Sequence, residues 1–407
     1  MYMRITFLAP ALWLLSASNL HAQEAPSPSR SWPAIVAENE AGPGPAPDAD
    51  ATGFSYSAEG DGFFQAEATK PDNTTTKGAI FDETNLYGHF NWSNWATVNG
   101  ALKYEHQRFN NSDDYYPDRT SFMRSEGLSL RQIYLTVRPD NGSDAVALYA
   151  GKIHPHFGTG WSNNGPPGIF YSFGSDYEQD EMIGFGADVK IPSVPATKWL
   201  GAAYLSAETF FLDTTFLSNS LFAHPSAGDM FVDRPGRFTL TDGGAANTND
   251  FDSVTVALQG QDIFGATGAA YHLSYTHAGV HLPDEKPETG FSAAGTYTFD
   301  LGNEMTTAPY IEYARLNNFG GQADLDRNYV IWGLTSTKGK WELDLAGGAR
   351  ESHDAVAGTD QWDLQENISL TYEVIEKLRV GGGFNHIRVN DVGSNTLGLE
   401  ASYEFSL

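Results

Sequence analysis

The sequence predicts an all-β fold, a transmembrane antiparallel β-barrel of about sixteen strands with short turns at one end and long loops at the other. Three observations lead to this fold class: the pattern of the final segment, the alternation of short and long connections, and the composition. A strand protein can cross a membrane only as a closed barrel, because every backbone amide in hydrocarbon must be paired.

The final segment, residues 397–407, alternates apolar and polar side chains without interruption. The apolar ones fall on one face of the predicted strand: Leu397, Leu399, Ala401, Tyr403, Phe405 and Leu407. Successive side chains of a strand point to opposite faces, so this strand has one apolar and one polar face. The segment resembles the closing strand of a Gram-negative outer-membrane barrel. That resemblance implies recognition by the barrel-assembly machinery through the C-terminal strand.

The N-terminal region predicts export from the cytoplasm. Arg4 precedes the apolar run 5–15, and small and polar residues follow up to Ala22. The run is too short to cross a bilayer and is typical of a signal peptide, here residues 1–22. Residues 23–52 are rich in proline and alanine, which predicts a flexible periplasmic leader. The barrel is then predicted to occupy residues 53–407.

The composition excludes several classes of protein. The chain has no cysteine, which removes disulfides, thiol catalysis and cysteine-ligated zinc. Its 24 Lys and Arg against 51 Asp and Glu give a formal net charge of -27, so nucleic acid is not an expected partner. An aromatic content of 13% argues against a disordered acidic chain. Beyond the predicted signal peptide, no apolar run is long enough for a transmembrane helix.

From residue 53 onward, alternating segments are separated by connections of two unequal kinds. Strands are predicted at 62–69, 83–93, 95–108, 127–138, 144–152, 180–191, 198–212, 250–261, 268–278, 289–301, 305–316, 325–337, 340–350, 361–374, 377–388 and 394–407. Long connections are predicted at 70–82, 109–126, 153–179, 213–249, 279–288, 317–324, 351–360 and 389–393. Their alternation with short turns places both termini on the short-turn side, which is the plan of a bacterial outer-membrane barrel.

Alternate side chains of each strand are predicted to face lipid and lumen. Aromatic side chains occupy many outward strand ends, as membrane-interface girdles require: Trp92, Trp341, Trp362, Tyr403 and Phe405. Glu366 breaks the pattern because it falls on the lipid face, and we expect a bulge or a position near the rim there.

The third long connection is predicted to form the pore constriction. The resemblance to sixteen-stranded porins implies that this loop folds into the lumen. Its pattern Gly151, Lys152, Pro155, Phe157 and Gly158 also resembles the strand-to-loop motif of phosphate-selective porins. The loop lacks arginine, however, which argues against phosphate. The predicted constriction residues are Lys152, His154, His156, Trp161, Tyr171, Asp176 and Glu178.

The predicted pore wall carries more acidic than basic side chains. Its charged candidates include Lys103, Glu105, Glu312, Glu342, Asp344, Arg350, Asp363 and Glu400. An acidic wall favours cations.

The sequence gives weaker indications of a metal site or of a catalytic site. His154 and His156 lie two residues apart and could reach one metal together with a carboxylate, or act as a pH-sensitive hinge. Two histidines in a polar loop are the simpler interpretation, so we predict neither a metal nor a cofactor. An esterase needs a lipid-facing Ser and His pair. His89 and His272 are predicted to face inward, so no catalytic residue is predicted.

The predicted function is that of an outer-membrane porin for passive diffusion of small hydrophilic solutes or ions, with a preference for cations. The expected partners are the lipid bilayer, lipopolysaccharide and the solutes, and the porin resemblance implies a homotrimer. Two other classes stay open. One is a substrate-specific channel for phosphate-type solutes or for carbohydrates, which inward tyrosines would stack against. The other is a non-transporting barrel, such as an adhesin or a scaffold.

Overall fold

A computed structural model of the chain describes residues 54–72, 74–107, 121–139, 144–162, 165–194, 197–224 and 238–406. The predicted signal peptide and periplasmic leader lie outside the described residues. Among the residues that are described, no helix is long and apolar enough to cross a membrane.

Sixteen long strands form one antiparallel sheet. They are β1 Phe54–Pro71, β2 Lys77–Trp92, β3 Ala96–Gln107, β4 Arg124–Val137, β5 Val146–Ile153, β6 Met182–Ile191, β7 Ala202–Leu212, β8 Ser253–Gln261, β9 Ala269–Ala278, β10 Glu288–Tyr297 with its continuation Phe299–Gly302, β11 Met305–Asn317, β12 Leu325–Lys338, β13 Trp341–Asp354, β14 Thr359–Ile375, β15 Leu378–Val389 and β16 Val392–Ser406. Two short strands, Ser121–Phe122 and Phe222–His224, add to the sheet at the long-loop end.

The sheet closes on itself. Each strand pairs with its neighbours in sequence, and β1 pairs with β16 from Glu59 opposite Ser406 to Pro71 opposite Ser394. Closure leaves no open sheet edge among these strands. The predicted fold class, an antiparallel barrel of sixteen strands, is confirmed.

The two ends of the barrel differ in the length of their connections. Turns of two residues, such as 303–304, 339–340 and 376–377, lie at one end, and loops as long as 154–181 and 213–252 lie at the other. Several predicted loops are too long. The strand β2 begins at Lys77 rather than at 83, and β13 runs on to Asp354 rather than ending at 350. The residues at these ends still pair across the ladder, so the wall extends beyond the predicted strand ends.

Exposed apolar side chains cover most of the outer face, and Glu366 is the exception that the sequence analysis flagged. The register between β13 and β14 is unbroken from Trp341 to Asp354, so the expectation of a bulge at Glu366 is wrong. Its exposed side chain faces outward opposite His386. His386 in turn shares a hydrogen bond of 3.0 Å with Asn395. These side chains form a polar row across the outer faces of β14, β15 and β16.

Candidate functional site

The third long loop, L3 (residues 154–181), folds into the lumen, as predicted. It crosses to distant parts of the wall: the Gln65 side chain on β1 donates to the Ile169 carbonyl at 3.2 Å, and the Gln365 side chain on β14 donates to the Tyr171 carbonyl at 2.6 Å. On the other side, the Gly158 amide donates to Ser274 Oγ on β9 at 3.1 Å. Since β1, β9 and β14 are well separated in the closed sheet, L3 spans the interior and narrows it.

The first anchor of L3 is the fully buried carboxylate of Glu312 on β11. It accepts the Thr159 amide at 3.2 Å on both oxygens and the Thr159 hydroxyl at 3.1 Å. Two wall hydroxyls also donate to it, Ser292 at 2.6 Å and Tyr310 through a shorter contact. A buried carboxylate is costly unless its oxygens are satisfied, and here loop and wall together satisfy it.

A second anchor holds the far side of L3. Asp176, at the end of the short 3₁₀-helix Phe173–Tyr177, accepts from Arg350 at 2.7 Å and from the Tyr329 hydroxyl at 3.0 Å. The same guanidinium donates to Asp363 at 2.9 and 2.6 Å. Asp176 and Arg350 together therefore link the loop to β12, β13 and β14 through charge-assisted hydrogen bonds.

Small residues in the wall make room for the tip of L3. A Cβ added to Gly333 would lie 2.3 Å from Pro167 Cδ, and one added to Gly398 would lie 3.0 Å from the Phe170 ring. No side chain fits at the first position without moving the loop. The wall glycines on β12 and β16 are thus complementary to the shape of L3.

Lys152 lies beneath the loop rather than in the open lumen. Its ammonium is fully buried and donates to Glu181 at 2.9 Å, pairs with Asp213 at 3.1 Å and donates to the Leu217 carbonyl at 3.1 Å. It therefore joins the end of L3 to the start of the loop that follows β7. This placement means that its charge acts on loop position rather than directly on solutes.

The two histidines of L3 lie in different surroundings. His156 pairs with Glu208 on β7 through a very short contact. Burial alone would lower the pKa of His156, but the Glu208 charge and hydrogen bond outweigh it and raise that pKa from 6.5 to about 9. Burial lowers the pKa of His154 to about 4, which leaves its imidazole neutral at pH 7. A single metal bound by both histidines does not fit this arrangement.

Charged side chains that keep solvent contact line the space beside L3. Lys103 pairs with Glu83 at 3.0 Å and with Glu105 at 3.2 Å. The Tyr171 ring, 53% exposed, extends into the same region, and its hydroxyl donates to Glu83 at 3.1 Å.

Arg131 is the most important residue of this region that the sequence analysis missed. By simple alternation along β4 it should face lipid. The register with β3 slips between Ala101, opposite Gln132, and Leu102, opposite Leu130. The slip turns Arg131 inward, where it contacts Glu178 at 3.3 Å and Asp180 at a shorter distance. The sequence does carry a signal of this bulge, because the apolar side chains fall on even positions at Leu128 and Leu130 and on odd positions at Ile133 and Leu135.

The predicted wall residues divide into two groups. Glu312, Asp344, Arg350 and Asp363 are buried, whereas Lys103, Glu105, Glu342 and Glu400 keep some exposure. The buried carboxylates hold hydrogen-bond networks together, so their charges reach solutes only as part of those networks.

A cluster of carboxylates faces the lumen near the short-turn end. Arg379 lies 3.9 Å from both Glu342 and Glu404. Glu400 points to the same lumen from β16, and the exposed Glu59 faces it from β1. Two described cations, Arg379 and Lys377 (whose Nζ lies 3.2 Å from Ser406 Oγ), thus accompany these four carboxylates in this vestibule, which leaves an excess of negative charge.

Comparison with known proteins supports the architecture. No protein-family profile and no curated protein matches the chain. Among solved structures, the outer membrane channel DcaP of Acinetobacter baumannii is 14% identical with a TM-score of 0.51, covering 87% of this chain and 98% of that chain. OmpT, an outer membrane protein of Vibrio cholerae in its trimer form, is 10% identical with a TM-score of 0.51, covering 87% and 100%. An anion-selective porin from Comamonas acidovorans is 9% identical with a TM-score of 0.51, covering 86% and 100%.

These similarities extend over nearly the full length of each matched chain. They agree with the closed sheet. The chain therefore has the sixteen-stranded barrel fold of the outer-membrane porins.

Proposed function

We propose that this protein is an outer-membrane porin through which small hydrophilic solutes and ions diffuse passively. The observation that carries the proposal is a loop anchored across the interior of a closed sixteen-stranded barrel. A barrel of this size encloses an aqueous channel rather than a core filled by side chains. The loop would set the size limit, and no energy source is required.

The proposed orientation follows from the loops. Short turns face the periplasm in bacterial outer-membrane barrels and long loops face outward. The vestibule carboxylates would then lie at the periplasmic mouth and L3 would lie deeper. We propose a homotrimer as the assembled form, since the matched Vibrio cholerae protein is described in a trimer form.

A preference for cations is the second part of the proposal. Near L3 each of two cations contacts two carboxylates, as Lys103 does with Glu83 and Glu105, so the negative charge there is partly compensated. The excess negative charge lies in the vestibule, around Glu342 and Glu404. Rings of carboxylates concentrate cations at a pore mouth. The Comamonas acidovorans porin, described as anion-selective, has the same fold, so selectivity depends on these side chains and not on the barrel.

Swelling of liposomes that contain the purified protein tests passive diffusion. Uptake of neutral sugars should fall smoothly with their size and should rise linearly with concentration. Saturation by one sugar, with inhibition of the others, would instead indicate a substrate-specific channel. An absence of swelling from correctly folded protein would contradict the proposal and favour a non-transporting barrel.

A further inference from the structure

Three potential metal ligands converge on L3 beside the lumen. His154, Glu178 and Asp180 each offer one ligand atom, and these atoms lie within 4.8 Å of one another. His154 Nε2 is 3.8 Å from Glu178 Oε1. The set joins residues from the two ends of L3, so only the folded loop brings them together.

The imidazole of His154 is an unusual member of this set. Its side chain is only 3% exposed, and neither ring nitrogen has a hydrogen-bond partner within the described part of the chain. Buried polar atoms normally have such partners. A neutral imidazole also keeps a lone pair that a metal ion can use.

The ring orientation of His154 is fixed by its neighbours. It stacks on Trp161 with 4.1 Å between ring centroids and 10° between ring planes. Trp161 is held in turn by a 2.9 Å hydrogen bond from Nε1 to the Phe157 carbonyl. A ligand whose orientation is set before binding loses little freedom when the metal arrives.

The geometry points to a site for a divalent transition-metal cation such as Zn²⁺, formed by His154, Glu178 and Asp180. One imidazole and two carboxylates suit a borderline metal better than Mg²⁺ or Ca²⁺, which take oxygen ligands. Three protein ligands leave a coordination position for water. The two carboxylates are 23% and 19% exposed, so the ion would enter from the lumen.

Arg131 competes with the metal for the same carboxylates. Its Nη2 contacts both Glu178 and Asp180, so a bound cation must displace the guanidinium. We therefore expect modest affinity in the natural protein. A bound metal ion would also free the Arg131 guanidinium from its carboxylates, so that its positive charge faces the lumen. Metal binding would therefore affect the permeation of charged solutes.

Equilibrium binding to the purified, folded protein in detergent tests the site. Zn²⁺ binding is measured by calorimetry, and Cu²⁺ is used as a spectroscopic probe of imidazole ligation. The natural protein should bind one Zn²⁺ saturably, and His154→Gln should lose at least about tenfold in affinity. Its Cu²⁺ spectrum should lose the nitrogen coupling of an imidazole. Arg131→Gln should bind Zn²⁺ more tightly, because the competing cation is gone.

His353→Gln is the matched control. His353 also lies beside a carboxylate, Asp360, but both are exposed at the barrel rim. Its removal should leave the saturable site unchanged. Equal affinity and unchanged Cu²⁺ spectra for the natural protein and His154→Gln would overturn the site, and weaker binding by Arg131→Gln would overturn the competition.

The inference rests on the position of L3 in the lumen of the proposed pore. Because binding is measured without conductance, a silent channel that still binds Zn²⁺ would contradict diffusion and leave the site intact. Normal conductance without saturable Zn²⁺ binding would support diffusion and contradict the metal site.

Discussion

Glu312→Gln should loosen L3 without disturbing the barrel. The substitution keeps the shape of the side chain but replaces one acceptor oxygen by an NH₂ group. The Thr159 amide and hydroxyl both donate to the natural carboxylate, and an amide cannot rotate its hydrogen away as a hydroxyl can. The hydrogen bonds that this group accepts from loop and wall therefore lose their charge assistance, and the Thr159 amide keeps one acceptor oxygen instead of two.

The size of the effect on loop opening follows from the hydrogen bonds between Thr159 and the Glu312 carboxylate. A hydrogen bond to a charged group contributes about 1.5–3 kcal/mol. If this free energy is lost from the closed state of the loop alone, the equilibrium constant for local opening of L3 rises by a factor of about 10 to 100, because about 1.4 kcal/mol corresponds to tenfold. The strands keep their ladder and should be unaffected.

Hydrogen exchange measures this opening directly. Peptides covering residues 154–162 should exchange about 10 to 100 times faster in Glu312→Gln, while peptides from β11 keep their protection. Glu342→Gln is the matched control, because it removes a wall carboxylate that is not among the described contacts of L3. Equal exchange of residues 154–162 in Glu312→Gln and the natural protein would refute the anchoring role.

Three further perturbations probe the loop and its base. The pKa of His156 is raised from 6.5 to about 9, so its ion pair with Glu208 stabilises L3 fully below pH 6.5 and is lost as pH rises through 9. The noise of the current through the open channel should therefore increase near pH 9. His156→Gln should show that higher noise at every pH. Gly333→Val should displace Pro167, whose Cδ would lie 2.3 Å from the new Cβ, and raise conductance, whereas Gly88→Val, with no atom within 4 Å, should not. Lys152→Met leaves its two carboxylate partners buried without a cation and should cost about 3–5 kcal/mol in urea unfolding; an unchanged midpoint would contradict this.

Strand number and facing could be predicted because lipid imposes a simple period. One face of each strand must be apolar, so alternation along segments such as 397–407 fixes which side chains face inward. The strand ends were harder to place. At the long-loop end the alternation of apolar and polar side chains fails, because Ala79 and Phe81 of β2 are apolar yet buried on the inner face, and only the pairing of backbone groups shows that β2 continues to Lys77.

The site was predictable in its location but not in its details. The count of long loops identified L3, and the porin resemblance implied that it folds into the lumen. The partners of its residues depend on strands far away in sequence, as Glu312 does for Thr159. Arg131 depends on a register slip that the sequence shows only as a shift of the apolar alternation between Leu130 and Ile133. His154 and His156 are close in sequence, yet they point to Glu178 and Glu208 on different elements.

Planar-bilayer conductance of the folded protein under a KCl gradient tests the central claim most directly. Stable open steps, with a reversal potential that shows potassium to be more permeant than chloride, are the predicted result. Replacing the vestibule carboxylates Glu342, Glu400 and Glu404 by glutamine should move that reversal potential toward the value of a pore that does not distinguish potassium from chloride. A chloride preference would contradict the charge argument, and a folded barrel with no conductance would contradict the channel itself.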